Sequence, residues 1–180
     1  MLGLAWPLGL LLGQPPWAGF HWRLQDALLG GLAALPMLAA FWWMIRSRRR
    51  PLAKIRDLLE RHLRPVFGQW SLLQLALISL IAGVCEESLF RPVIQGGLAR
   101  LVDPAGALLV ASVLFGLCHL VTRTYGVLAA LFGAYLGLLW LGTGNLLAPI
   151  AAHALYDFFA LAYFLRMNRP DDREGPPPMS

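Results

Sequence analysis

The stretch GVCEESLFRPVIQ, residues 83–95, sets two adjacent glutamates and an arginine inside a run that otherwise has the composition of a lipid-soluble helix. Such groups have no inexpensive place in hydrocarbon. An acid or arginine at mid-membrane costs about 2.5–3.5 kcal/mol on insertion scales. Residues 71–101 read as one long helical region around this stretch, kinked or broken near Pro92 and the Gly96, Gly97 pair and ended by Asp103 and Pro104.

The rest of the chain supports a membrane reading. Of its 180 residues 58% are hydrophobic and 14% charged, and the mean hydropathy is +0.60, a balance outside that of soluble domains. A crossing needs about 20 apolar residues, so little chain remains for an extramembrane domain. The net charge of +5 raises the question of nucleic acid, but eight basic residues fall between positions 46 and 64, beside a hydrophobic span. Membrane orientation accounts for that cluster, and no basic residues alternate with aromatics as in a nucleic-acid groove. Cys85 and Cys118 lie in apolar runs and read as reduced core residues, with no disulfide framework or zinc knuckle.

Along the chain, residues 2–12 are apolar but interrupted by Pro7, with no preceding Lys or Arg of a secretory signal, and read as a short or re-entrant first helix. Residues 14–25 form a loop with aromatic anchors. Residues 27–45 are the first full span, closing on Trp42 and Trp43 at headgroup level. Over residues 52–63, Leu52, Ile55, Leu58, Leu59 and Leu63 repeat at helical spacing among charges, which predicts an interfacial amphipathic helix on anionic lipid, with a solvated linker helix as the alternative. Residues 105–121, 126–141 and 146–165 are further spans. The expected fold is therefore an all-α polytopic membrane bundle of about six membrane segments plus the interfacial helix. One transmembrane domain covers 1–169, with its motif-bearing core at 71–165 and a disordered polar tail at 170–180. Basic segments at 46–64, Arg123 and Arg166/Arg169 fall on one side, which predicts cytoplasmic termini if the first segment crosses. No internal repeat supports an inverted-repeat transporter.

Strongly polar residues inside the spans are few: Glu86, Glu87 and Arg91, then His119, then His153 and Asp157. Left unpaired, they would cost on the order of 10 kcal/mol. Convergence into one hydrated pocket removes most of that cost. Residues four apart share a helix face, so Glu87 can reach Arg91 and His153 can reach Asp157. Glu86 points about 100° away from Glu87 around the helix. One glutamate can then be neutralised by arginine while the other faces the cavity as a general base on water. Asp157 can fix the His153 tautomer or bind the water itself. His21 and His62 lie in loops, where a solvated role is expected.

Glu86-Glu87-x-x-x-Arg91, Phe115-x-x-x-His119 and His153-x-x-x-Asp157, in that order, resemble the CPBP family: type II CAAX prenyl endopeptidases and bacteriocin-processing or immunity proteins, also called Abi proteins. The likeness covers roughly residues 71–160. It implies an intramembrane protease in which Glu86 activates water and Glu87 and Arg91 form a structural pair. His119 and His153 would orient water and stabilise the oxyanion, and Phe115 would pack the pocket wall. Eukaryotic prenyl proteases have asparagine at the place of Asp157, and the acid here raises the question of metal. Glu86, His119, His153 and Asp157 would suit zinc chemically. No His-Glu-x-x-His helix is present, and metal-free hydrolysis with no required cofactor is the favoured reading.

Other classes fare worse. A rhomboid-like enzyme needs Gly-x-Ser, which none of Ser79, Ser88 and Ser112 provides, and a presenilin-like enzyme needs a second intramembrane aspartate where Asn145 stands. A non-catalytic membrane protein, such as an immunity factor or a proton relay, would use the same polar residues. The substrate implied is a membrane-associated peptide: CAAX-like, a leader peptide, or a C-terminal sorting tail. The lipid bilayer is the other expected partner, and the resemblance to bacterial members points to an inner (plasma) membrane.

Overall fold

The structure, a computed structural model, describes residues 1–166, so Arg169 and the polar tail expected at 170–180 lie outside the described residues. The described chain is helical throughout: α1 (Leu2–Leu12), α2 (Leu24–Arg46), α3 (Arg50–Phe67), α4 (Leu72–Ser88) continued by a π-helical segment (Leu89–Gly96), α5 (Pro104–Cys118), α6 (Arg123–Thr143) and α7 (Leu147–Arg166). Local signals mark the starts. Ser71 and Gln74 form a reciprocal capping box on α4, Asp103 accepts from the Ala105 and Gly106 amides ahead of Pro104 in α5, and Thr122 caps α6 through the Tyr125 amide.

Four helical segments are long and apolar enough to cross a membrane: Leu24–Arg46, Leu72–Gly96, Arg123–Thr143 and Leu147–Arg166. The expectation of six is not reached on length. α1 and α5 have 11 and 15 residues, or about 16 and 22 Å at 1.5 Å per residue, against a hydrocarbon core of about 30 Å. Both are held by protein instead. Ala5 of α1 packs on Leu89, Phe90 and Val93, and α5 lies along α6.

Of the break or kink expected near Pro92, the break is absent, because the helix runs through the proline as wider π turns. Proline has no N–H for the ordinary i→i−4 bond, and a π segment accommodates the gap without ending the helix.

The amphipathic helix forms as α3, but protein rather than lipid covers its inner face. Leu52 and Ile55 are buried among Phe41, Met44, Ile45, Leu75, Phe164 and Leu165. Two of its arginines bind the helix ends beneath it. Arg56 donates to the carbonyls of Met44, Ile45 and Ser47, and Arg64, paired with Glu60, donates to those of Phe164 and Leu165. Arg46, Arg48, Arg49, Arg50, Lys54 and Arg61 stay exposed, and the Arg46 and Arg49 guanidinium groups lie over Trp42 and Trp43. All basic residues of α3 and its flanks thus gather at one end of the bundle. At α7's far end, buried Asn145 clips the loop before α2: it accepts from the His21 amide and donates to the His21 carbonyl and the Asp26 carboxylate. His62 is in α3 rather than a loop, its Nδ1 on the Leu58 carbonyl. Neither cysteine is a core residue, since Cys85 is half-buried and Cys118 exposed, and both are free thiols.

α7 is the central helix, packed against α2 on one side and α4 on the other. Gly83 makes the α4 contact possible, because a Cβ there would lie 3.2 Å from Ala154 and from the Ile150 carbonyl. That close approach brings the α4 carboxylates against the α7 histidine.

Candidate active site

The six polar residues singled out from the spans come together. Arg91 Nε donates to Glu87 Oε2 at 2.6 Å, with both side chains fully buried. The other Glu87 oxygen, Oε1, lies 2.8 Å from His153 Nδ1. Since Glu87 is the arginine's carboxylate, His153 Nδ1 carries the hydrogen and donates. His153 Nε2 then faces Asp157 Oδ2 at 3.4 Å. Glu87 therefore bridges two helices, and α7 takes its histidine orientation from α4.

Glu86 sits differently, as its position one residue round the helix requires. Its side chain is 17% exposed, and Oε2 lies 3.5 Å from His119 Nε2. That oxygen has no hydrogen-bond partner among the described residues. His119 ends α5, where its Nδ1 lies 2.8 Å from the Phe115 carbonyl and must donate to it. Nε2 is thereby directed at Glu86. The ring stacks on Phe115 at 4.5 Å between centroids, and Phe115 also meets His153 edge-on at 6.1 Å. Phe115 is thus the shared wall between the two imidazoles.

A cavity of about 140 Å³ opens beside this cluster, lined by Phe115, His119, His153 and Asp157 together with apolar side chains of α2 and α6. Phe41, Met37 and Met44 form one wall, and Leu128, Phe132 and Leu136 the other. Such a mostly apolar chamber with a few convergent polar groups is the usual form of a small-molecule or peptide site.

Some of the machinery was not anticipated from sequence. Gln95, one turn beyond Arg91, accepts from Arg91 Nη1 at 3.2 Å and passes its own amide to the Gly137 carbonyl at 3.3 Å. The i, i+4, i+8 series Glu87, Arg91, Gln95 was a readable signal, since an amide in an apolar run needs a partner. Tyr125 and Tyr156 line the same cavity; only the tertiary structure brings Tyr125 there. The Glu87 contact to His153 was also missed, because it joins residues 66 positions apart.

Gly137 leaves the room that the arginine needs. A Cβ on it would fall 2.7 Å from Gln95 Oε1 and 2.9 Å from Arg91 Nη1, closer than real contacts allow. Gly137→Ala is expected to lower stability by about 1–3 kcal/mol, read as detergent-phase thermal unfolding. Leu138→Ala, at an exposed neighbouring position, serves as the comparison that leaves the transition in place.

Among the described residues, no group of three or more His, Cys, Asp or Glu is spaced to hold a metal ion.

Comparison with curated proteins and with solved structures finds no significant match. A family model, described as type II CAAX prenyl endopeptidase Rce1-like, matches residues 68–159, just over half of the 180-residue chain. The matched segment runs from the turn before α4 through most of α7 and contains every residue of the polar cluster. Together with the four apolar spanning helices, it makes this an integral membrane protein of a protease family. The chain belongs to the Rce1-like type II CAAX prenyl endopeptidase family.

Proposed function

We propose that the protein is an intramembrane endopeptidase of the glutamic type, hydrolysing a peptide bond of a membrane-associated substrate. The observation that carries this reading is the unequal fate of two adjacent carboxylates. Glu87 is consumed by Arg91 and His153, while Glu86 keeps an oxygen that no donor among the described residues engages, 3.5 Å from the Nε2 of His119, which itself lines the semi-apolar chamber.

In this mechanism Glu86 takes a proton from water as the oxygen attacks the scissile carbonyl carbon. Negative charge then grows on the carbonyl oxygen. His119 and His153, held by Phe115 and Glu87 through their Nδ1–H groups, turn Nε2 inward, and a protonated Nε2–H donates to that oxyanion. Asp157, beside His153 Nε2, orients that ring. Collapse of the tetrahedral intermediate breaks the C–N bond, and Glu86 returns its proton to the leaving amine. The basic end of the bundle faces the cytoplasm by the positive-inside rule. The substrate is a peptide with an apolar anchor, either CAAX-like, a leader, or a C-terminal sorting tail.

The test uses the purified protein in proteoliposomes with an anchored peptide, its products identified by mass spectrometry. Cleavage at one bond is expected, about 10²–10³-fold slower in His119→Ala as for loss of an oxyanion donor. Cleavage is expected to persist within twofold under 1,10-phenanthroline. An intact peptide after prolonged incubation would favour a non-catalytic role. Loss of activity on chelation, restored by zinc, would overturn the metal-free mechanism.

A further inference from the structure

A second cavity, of about 150 Å³, lies under α3, and one of its walls is Tyr125, which also lines the catalytic chamber. The remaining wall is apolar: Ile55, Leu58, Leu59 and Leu63 from α3, and Val121 from the turn before α6. The His62 ring at its edge has Nδ1 engaged by the Leu58 carbonyl. Tyr125 is fixed between the two spaces by the start of α6, where Thr122 Oγ1 accepts from its amide at 3.1 Å. Its ring centroid is 6.4 Å from that of His119. One aromatic side chain thus separates the oxyanion-stabilising imidazole from an apolar void.

Resting on the protease reading above, we propose that the void under α3 is the specificity subsite. It receives one large apolar side chain of the substrate next to the scissile bond, and Tyr125 is its partition from the catalytic chamber. Three observations point to this occupant. The void adjoins the chamber through a shared wall, so a peptide with its scissile carbonyl near His119 has an adjacent side chain within reach of it. Its lining is aliphatic apart from the Tyr125 ring and the His62 ring at the edge, so it suits an apolar side chain better than a charged one. An apolar space of about 150 Å³ is large enough for a benzene-sized group. Leucine and phenylalanine meet that size, whereas alanine leaves most of it empty.

α3 therefore has a role beyond tying the helix ends: its Leu58, Leu59 and Leu63 face the substrate. Leu59 is the residue to alter, since it is half-buried on the lining and distant in sequence from Glu86, His119 and His153.

The experiment measures kcat/KM in proteoliposomes for anchored, quenched-fluorescent peptides identical except for Ala, Leu or Phe on either side of the scissile bond. The wild type is expected to prefer Leu or Phe over Ala at one of the two positions by about tenfold or more, the discrimination a few methylenes provide in an apolar pocket. Leu59→Trp fills the void and lowers the Phe-to-Ala ratio at that position at least tenfold. Leu59→Ala enlarges it and raises the ratio, and Tyr125→Ala removes the partition and flattens the profile. Equal loss on every peptide in all three variants, the signature of a structural or lipid-filled groove, overturns the proposal. So does a ratio that none of them moves. If no peptide is cleaved in a Glu86-dependent manner by the wild type, the protease reading falls with it. Cleavage with an unchanged ratio overturns the subsite alone.

Discussion

Replacing Arg91 with methionine is expected to destabilise the protein by about 3–5 kcal/mol, the usual consequence of removing one partner from a buried ion pair. The guanidinium is fully buried, bound to Glu87 at 2.6 Å and to Gln95 at 3.2 Å. Without it the fully buried Glu87 carboxylate keeps only His153 as a partner among the described residues. Thermal or denaturant unfolding in detergent measures the loss. The double variant Glu87→Gln with Arg91→Met is expected to regain most of it, because an uncharged pair of similar volume leaves no buried charge uncompensated. Activity is not expected to return, since His153 would then lack the carboxylate that holds its Nδ1–H. Recovery of stability without recovery of cleavage separates the structural role of the pair from its orienting one.

Glu86→Gln is expected to reduce cleavage by about 10²–10⁴-fold, the range for loss of a general base, while unfolding in detergent stays close to the wild type. Glutamine keeps the size of the side chain, and Oε2 of Glu86 makes no hydrogen bond among the described residues, so the substitution removes basicity with little change of packing. The same change at Glu87 should behave in the opposite way, lowering stability first, because that carboxylate is committed to Arg91 and His153. An inverted outcome, with Glu87 essential for chemistry in a stable protein and Glu86 dispensable, would exchange the two roles.

The site was legible in sequence because charge in hydrocarbon is expensive. Six ionisable side chains in spans of otherwise apolar composition had either to meet or to carry a large penalty, and helical spacing paired Glu87 with Arg91 and His153 with Asp157 before any coordinates. The bridge from Glu87 to His153 was not legible, since it depends on α4 and α7 closing at Gly83, and a glycine in a membrane helix does not name the helix it admits. The amphipathic pattern of α3 showed that one face is apolar but not what covers it, and bundle and lipid give the same periodicity. At Pro92 the sequence left a break and a kink both open, because proline reports a missing N–H and not whether the helix ends there or widens into π turns. Four of the about six membrane segments expected have crossing length, and apolar composition does not distinguish a short helix seated on its neighbours from one that crosses the bilayer.

The most direct measurement is the incorporation of oxygen from H₂¹⁸O into the new carboxyl terminus of an anchored peptide, followed by mass spectrometry for the wild type and Glu86→Gln in the same proteoliposomes. The predicted result is one ¹⁸O per cleaved bond in the wild type, appearing at least about 100-fold more slowly in the variant. Labelling of the product at equal rates by both proteins would contradict the assignment of water activation to Glu86.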